Sequence, residues 1–212
     1  TIDEKKVNPI DNVKNYNDGK YKVHAPFNNG NRGSVWDLTP YDRTLMIDSD
    51  YLTLTDTLSN YWDIDEDLLI SPKYNDIQGV ERIGYLDTHI SETSIDMLWA
   101  TTVMFTKNET TKIFFDLVAH VKEKYKMYSD IYRFNPIVFR NDIAFSIANH
   151  IMGYTKELPG KMVYSTGKDI LQKIKDDSFT LLVEKQDRIG EYTLIRTQGI
   201  NLHIMNKFSL GR

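Results

Sequence analysis

The stretch "PYDRTLMIDSDYL", Pro40–Leu52, places two carboxylates at the end of a run of strand-forming residues. Thr44–Ile47 favours a short buried strand, and Asp48 and Asp50 follow it directly. Past the end of a strand the chain can turn both side chains toward one point. Asp is also common in turns, whereas hard divalent cations prefer oxygen ligands. The pair therefore either caps a turn or holds a cation.

Length and composition restrict the protein class. The 212 residues fit one domain, and we predict that residues 1–212 fold as a unit. With 26 basic and 30 acidic residues the net charge is -4, which is unlike a protein that grips phosphate backbones non-specifically. The absence of cysteine excludes disulfides and thiolate metal sites. No apolar run approaches the ~20 residues that cross a bilayer, so we expect no membrane span. The lack of cysteine is compatible with a reducing cytoplasm, where we expect the protein.

Apolar periodicity predicts strands and helices mixed along the chain. Predicted strands cover Leu68–Ile70, Asp96–Thr106 and the C-terminal runs "FTLLVEK", "EYTLIRT" and "INLHIMN". The runs "FTLLVEK" and "EYTLIRT" are predicted to form a hairpin. Predicted helices cover Ile113–Tyr125, Asn141–Met152 and Lys168–Lys175. We therefore predict the α/β class with a β-rich C-terminal part.

The predicted helices also carry end signals. Thr106 and Glu109 have the spacing of a capping box. Asn141 or Asp142 is a good N-cap for the second helix, and Gly153 is placed to end it.

Four further residues are candidates for chemistry, and each also has a structural interpretation. His203 lies on a predicted strand, where a lone His is more often structural than a ligand. Lys207 follows four residues later and is either an anion-binding group or a solvated surface residue. Asp142 suffices as a helix cap, and Arg140 suffices as its salt-bridge partner.

Several segments together resemble glycosyltransferases with the GT-A fold. In these enzymes a pattern similar to "PYDRTLMIDSD" ends a central strand, and "DMLWATTVMFTKNETTKIFFDLV" and "FRNDIAFSIANH" resemble the segments around the sugar pocket. "GINLHIMNKFSL" resembles the late His-x-x-x-Lys element of the glycogenin-like galactosyl- and glucosyltransferases. The resemblance covers about residues 35–210 and extends to uncharacterised proteins of T4-like tailed bacteriophages. It implies a GT-A-like, Rossmann-type mixed sheet flanked by helices.

The resemblance implies a metal centre. Asp50 is implied to ligate Mn²⁺ or Mg²⁺, Asp48 to contact the metal or the nucleotide ribose, and His203 to complete the metal shell. Lys207 is implied to neutralise the leaving diphosphate, a catalytic and donor-binding role. Asp142 is implied to lie at the donor sugar as a further catalytic residue.

The resemblance also implies a phosphate contact and a location. Arg140 is implied to help bind phosphate. A phage-encoded protein of this kind is expected in the host cytoplasm.

We therefore expect a metal-dependent glycosyltransferase that moves a sugar from a nucleotide-diphosphate donor to an acceptor. Modified bases of phage DNA are one acceptor implied by the resemblance, although the acidic net charge argues against strong duplex binding. The alternatives are a catalytically inactive binding or structural protein on the same scaffold, and a nucleotidyltransferase. Residues 1–35 are too polar for the usual strand-helix-strand nucleotide-binding unit, so we expect that unit to be missing or incomplete.

Overall fold

A computed structural model of the chain shows a mixed α/β protein with several sheets. It describes residues 13–17, 22–26, 30–71, 74–78, 88–136, 138–154, 158, 162–185 and 188–210, and for residues 13–17, 22–26, 207 and 208 it describes the backbone alone. The strands are β1 Val13–Asn17, β2 Lys22–Pro26, β3 Arg43–Ile47, β4 Tyr51–Leu52, β5 Leu68–Ser71, β6 Tyr74–Asp76, β7 Trp99–Thr106, β8 Met162–Ser165, β9 Ile170–Lys175, β10 Ser178–Lys185, β11 Arg188–Gln198 and β12 Leu202–Ile204.

The strand that precedes the two aspartates belongs to an antiparallel sheet with the order β3-β7-β5. β7 lies in the middle of this sheet, and all of its residues except the last are buried. The predicted strands at Leu68–Ile70 and Asp96–Thr106 are thereby confirmed, the latter beginning at Trp99. The Thr44–Ile47 prediction is right about the strand but wrong about its burial. β3 is half-buried because it occupies an outer position.

A second sheet has the order β4-β12-β8-β6 and is mixed. β12 runs parallel to β8 and antiparallel to β4, while β6 runs parallel to β8. Its short β12 lies within the predicted "INLHIMN" strand and is fully buried. The third sheet, β11-β10-β9, contains the predicted C-terminal hairpin, and β1 pairs with β2 as a separate hairpin. The α/β class and the β-rich C-terminal part are confirmed at this level.

The helices are α1 Val35–Leu38, α2 Glu109–Glu123, α3 Tyr125–Tyr132 and α4 Asn141–Met152, with short 3-10 helices at Arg32–Ser34, Asp56–Asp63 and Lys207–Leu210. The bounds predicted for α4 are confirmed, and Gly153 ends it with a left-handed φ of 64°. The long helix predicted as far as Tyr125 is divided, because Lys124 leaves helical geometry between α2 and α3.

Both predicted helix caps are wrong. Thr106 is the last residue of β7, and α2 is capped instead by Asn108, which exchanges side-chain and backbone hydrogen bonds with Thr111. Asn141 and Asp142 are the first two residues inside α4, and the N-cap position belongs to Arg140 without a side-chain cap. Asp142 is thus available for another partner.

The prediction of a helix at Lys168–Lys175 is also wrong. Ile170–Lys175 forms β9, which pairs antiparallel with β10 through a turn at residues 176 and 177. The ladder to a neighbouring strand outweighs the local helical tendency, as tertiary pairing often does for short segments.

Most buried apolar side chains form one cluster between the β3-β7-β5 sheet, the mixed sheet and helices α2, α3 and α4. A smaller cluster lies between the mixed sheet and β10. In the described part of the chain no helix is long and apolar enough to cross a membrane.

Candidate metal centre

Asp48 and Asp50 follow β3 in a tight turn whose backbone is anchored on two sheets. The N–H of Asp48 donates to the Thr101 carbonyl of β7, and the N–H of Tyr51 donates to the Asp48 carbonyl. The carbonyl of Asp50 accepts from the N–H of Ile204 in β12. The two residues therefore cross from the β3-β7-β5 sheet to the mixed sheet, and Asp50 is 5% exposed.

β12 delivers His203 to the same point. In the ladder His203 lies opposite Tyr51 of β4, the residue that follows Asp50. The imidazole Nε2 lies 3.2 Å from an Asp50 carboxylate oxygen and 3.7 Å from one of Asp48. The structure thus brings together three predicted site residues from two segments about 150 residues apart in sequence.

The donor set fits a divalent metal ion. One ligand atom from each of Asp48, Asp50 and His203 lies within 4.8 Å of the other two, a spread that one cation can span. Two carboxylates and one imidazole are ligands that Mn²⁺ accepts, while Mg²⁺ prefers an all-oxygen shell. All three side chains are largely shielded from water, and buried charges of this kind need a partner. Among the described residues His203 Nδ1 has no hydrogen-bond partner.

The sequence analysis missed Arg32, which reaches the same site from the first 3-10 helix. Its guanidinium contacts the Asp48 carboxylate and donates to the Ala100 carbonyl of β7. Burial lowers the pKa of Arg32, and the carboxylates of Asp142 and Asp50 oppose that shift. Arg32 therefore lies in the field of three acids, with 10% of its side chain exposed.

Close packing against α2 fixes the backbone around Arg32. A Cβ on Gly33 would lie 3.3 Å from a methyl group of Val118, so a larger side chain would require the Val118 side chain to shift by a few tenths of an ångström. Lys122 of α2 donates to the Gly30 carbonyl at 2.6 Å and to the Asn31 side chain at 2.9 Å. These contacts make a segment of loop-like composition into a defined support for Arg32.

Asp142 lies in the first turn of α4, on the Arg32 side of the site. One of its carboxylate oxygens accepts from the N–H of Ala100 at 3.0 Å, and the other accepts from Arg140 at 3.2 Å. Ala100 thus binds Asp142 through its N–H and Arg32 through its carbonyl. Asp142 is a carboxylate with a set orientation, and its salt bridge with Arg140 is half-exposed on the Arg140 side.

Lys207 is a predicted site residue for which the structure describes the backbone only. Its backbone begins the 3-10 helix Lys207–Leu210, three residues after β12 ends at Ile204. Its side chain lies outside the described part of the molecule.

A buried amide holds the segment after β4 against β12. The Asn201 side chain accepts from the N–H groups of Leu54 and Thr55 at 2.8 and 2.9 Å and donates to Thr57 at 2.8 Å.

Burial raises the pKa of Tyr51 to about 12, with a smaller contribution from Tyr61. Tyr51 is therefore neutral at physiological pH and adds no charge beside the acids.

Comparisons of the chain with protein-family models, with curated proteins and with solved structures gave no match. The chemistry of the site is therefore the basis for a functional proposal.

Replacing Asn201 by Ala is expected to lower the free energy of unfolding by about 2–3 kcal/mol, because two backbone N–H groups lose their acceptor. Asn201→Asp keeps the acceptor and is expected to lose less. Urea denaturation of the two variants measures the difference, and an Ala variant as stable as the parent would contradict this role.

Proposed function

We propose that this protein is a metal-dependent glycosyltransferase that transfers a sugar from a nucleoside diphosphate donor to an acceptor. What supports the proposal most is the convergence of Asp48, Asp50 and His203 on one buried point. A third carboxylate, that of Asp142, is oriented on the adjacent side of Arg32. Together with the order of segments in the sequence, this arrangement also supports a GT-A-like, Rossmann-type interpretation of the mixed sheet.

Asp48, Asp50 and His203 would hold the metal ion. When bound, Mn²⁺ or Mg²⁺ would supply positive charge to the diphosphate that leaves the sugar. The anchored turn presents both carboxylates without a large rearrangement, because its backbone is bonded to β7 and to β12. A preorganised site of this kind binds a charged ligand at low ordering cost.

Asp142 would act on the sugar side of the site. Its carboxylate is held by the Ala100 N–H and by Arg140, so its direction is set before any substrate binds. A carboxylate in this position can accept hydrogen bonds from sugar hydroxyls or orient the acceptor hydroxyl. The salt bridge to Arg140 places a positive charge beside the carboxylate.

Two basic residues would meet the phosphates. Lys207 is proposed to neutralise charge on the leaving diphosphate, since it follows the His203 strand by one short turn. Arg140 has 43% of its side chain exposed, and it can bind a phosphate oxygen while its other nitrogen stays with Asp142.

In the presence of Mn²⁺, one member of a panel of nucleoside diphosphate sugars is expected to raise the melting temperature by about 5–10 °C at saturation. The same donor is expected to be hydrolysed slowly, with release of the nucleoside diphosphate. Asp50→Asn should abolish both effects because it removes a metal ligand. Differential scanning fluorimetry and chromatography of the nucleotides provide the two measurements.

The matched control is Asp130→Asn, which removes one charge from an exposed acid paired with Lys126 on α3. It should respond as the parent does. Full activity of Asp50→Asn would contradict the metal assignment. Stabilisation by nucleoside triphosphates alone would favour a nucleotidyltransferase, and no response to any nucleotide would favour a non-catalytic protein.

Asp142→Asn is expected to weaken Mn²⁺ binding far less than Asp50→Asn does, since Asp142 is outside the ligand set, and to lower donor turnover by about 100-fold or more. The amide can still accept from the Ala100 N–H, so the fold should be retained. Isothermal titration with Mn²⁺ and initial rates of donor hydrolysis separate the two effects. Unchanged turnover would show that Asp142 only supports the helix.

A further inference from the structure

We propose that Arg32 is a built-in cation that competes with a divalent metal ion for Asp48. The competition presupposes the metal centre proposed above, and it concerns how that centre is filled before a metal ion arrives. It makes metal binding an exchange of one cation for another.

Arg32 and the candidate metal centre share the carboxylate of Asp48. One Asp48 oxygen, Oδ1, contacts the Arg32 guanidinium, and the other, Oδ2, is the one that lies 3.7 Å from His203 Nε2. The two oxygens of one carboxylate are neighbours, so a cation held among Asp48, Asp50 and His203 would lie close to the guanidinium. Like charges at such short range repel strongly when water is largely excluded.

The charge of the site comes from the acids around Arg32. Three carboxylates, those of Asp48, Asp50 and Asp142, act on Arg32, and Asp142 is also paired with Arg140. Without the guanidinium, the Asp48 carboxylate would lose its described arginine partner. Arg32 thus stabilises the metal-free fold, and a bound metal ion would take over part of that task.

The Arg32 guanidinium is held by two contacts. Its guanidinium donates to the Ala100 carbonyl as well as to Asp48, so the side chain keeps an uncharged anchor beside the site if Asp48 is taken by a metal ion. Its backbone is set by Gly33 against Val118, while the long side chain has the rotamer freedom to move. The exchange therefore needs a side-chain movement and no change in the fold.

The experiment compares the affinity for Mn²⁺ alone, by isothermal titration, in the full chain and in single variants. Arg32→Gln is expected to bind Mn²⁺ at least about fivefold more tightly than the parent, the lower end of ordinary coupling between sites. It should also melt at a lower temperature without metal, and saturating Mn²⁺ should narrow that gap. Arg188→Gln removes the same charge from the exposed strand β11 and should leave the affinity unchanged.

Arg32→Lys keeps the charge but loses the forked geometry that reaches both Asp48 and Ala100, so it should bind Mn²⁺ with an affinity between the other two. It decides the matter if Arg32→Gln does not fold, because tighter binding than the parent is still expected. Equal or weaker affinity in the Arg32 variants, with binding abolished by Asp50→Asn, would overturn the competition and leave the metal centre intact. Absence of Mn²⁺ binding in every variant would overturn both.

Discussion

A buried carboxylate, Asp50, and a half-buried one, Asp48, lie beside one imidazole, and charges shielded in this way need a cation nearby. Asp48 and Asp50 are brought to His203 by backbone bonds, not by surface side chains, so the cluster is a consequence of the fold. Burial of such groups costs several kcal/mol per ion unless a cation accompanies them. Arg32 supplies that cation within the chain, and a divalent metal ion is the alternative partner that the donor set fits.

The start of β7 connects the parts of the site. The carbonyl of Thr101 holds Asp48, and the neighbouring Ala100 binds Arg32 and Asp142 through its two backbone groups. Since β7 is buried in the middle of its sheet, these positions have little freedom to move. One strand thus contacts both Asp48 of the candidate metal centre and Asp142, and in the proposed transfer reaction it would hold these two groups in a fixed arrangement.

Part of this arrangement could be predicted from local sequence. A strand followed by two acids is a short-range pattern, and the bounds of α4 follow from its periodicity and Gly153. His203 could be proposed from its resemblance to a known element, but its meeting with Asp50 depends on pairing between β4 and β12. That pairing joins segments far apart in the sequence, and no local apolar pattern indicates it.

Other features could not be predicted for physical reasons. Arg32 lies in a polar stretch typical of a loop, yet its side chain is 10% exposed, and the neighbouring Gly33 lies against Val118 on a helix far along the chain. Asp142 is a good helix cap by residue type, yet an N–H of β7 takes its carboxylate instead. The local pattern of Ile170–Lys175 favours a helix, whereas its pairing with β10 is a tertiary effect that local propensity does not contain.

The most direct test is the anomalous scattering of manganese in crystals of the protein grown or soaked with Mn²⁺. The account predicts one strong peak within about 2.3 Å of oxygens of Asp48 and Asp50 and of His203 Nε2, with the Arg32 guanidinium moved off Asp48. A map with no peak at these three side chains at saturating Mn²⁺, and Arg32 still seated on Asp48, would contradict it.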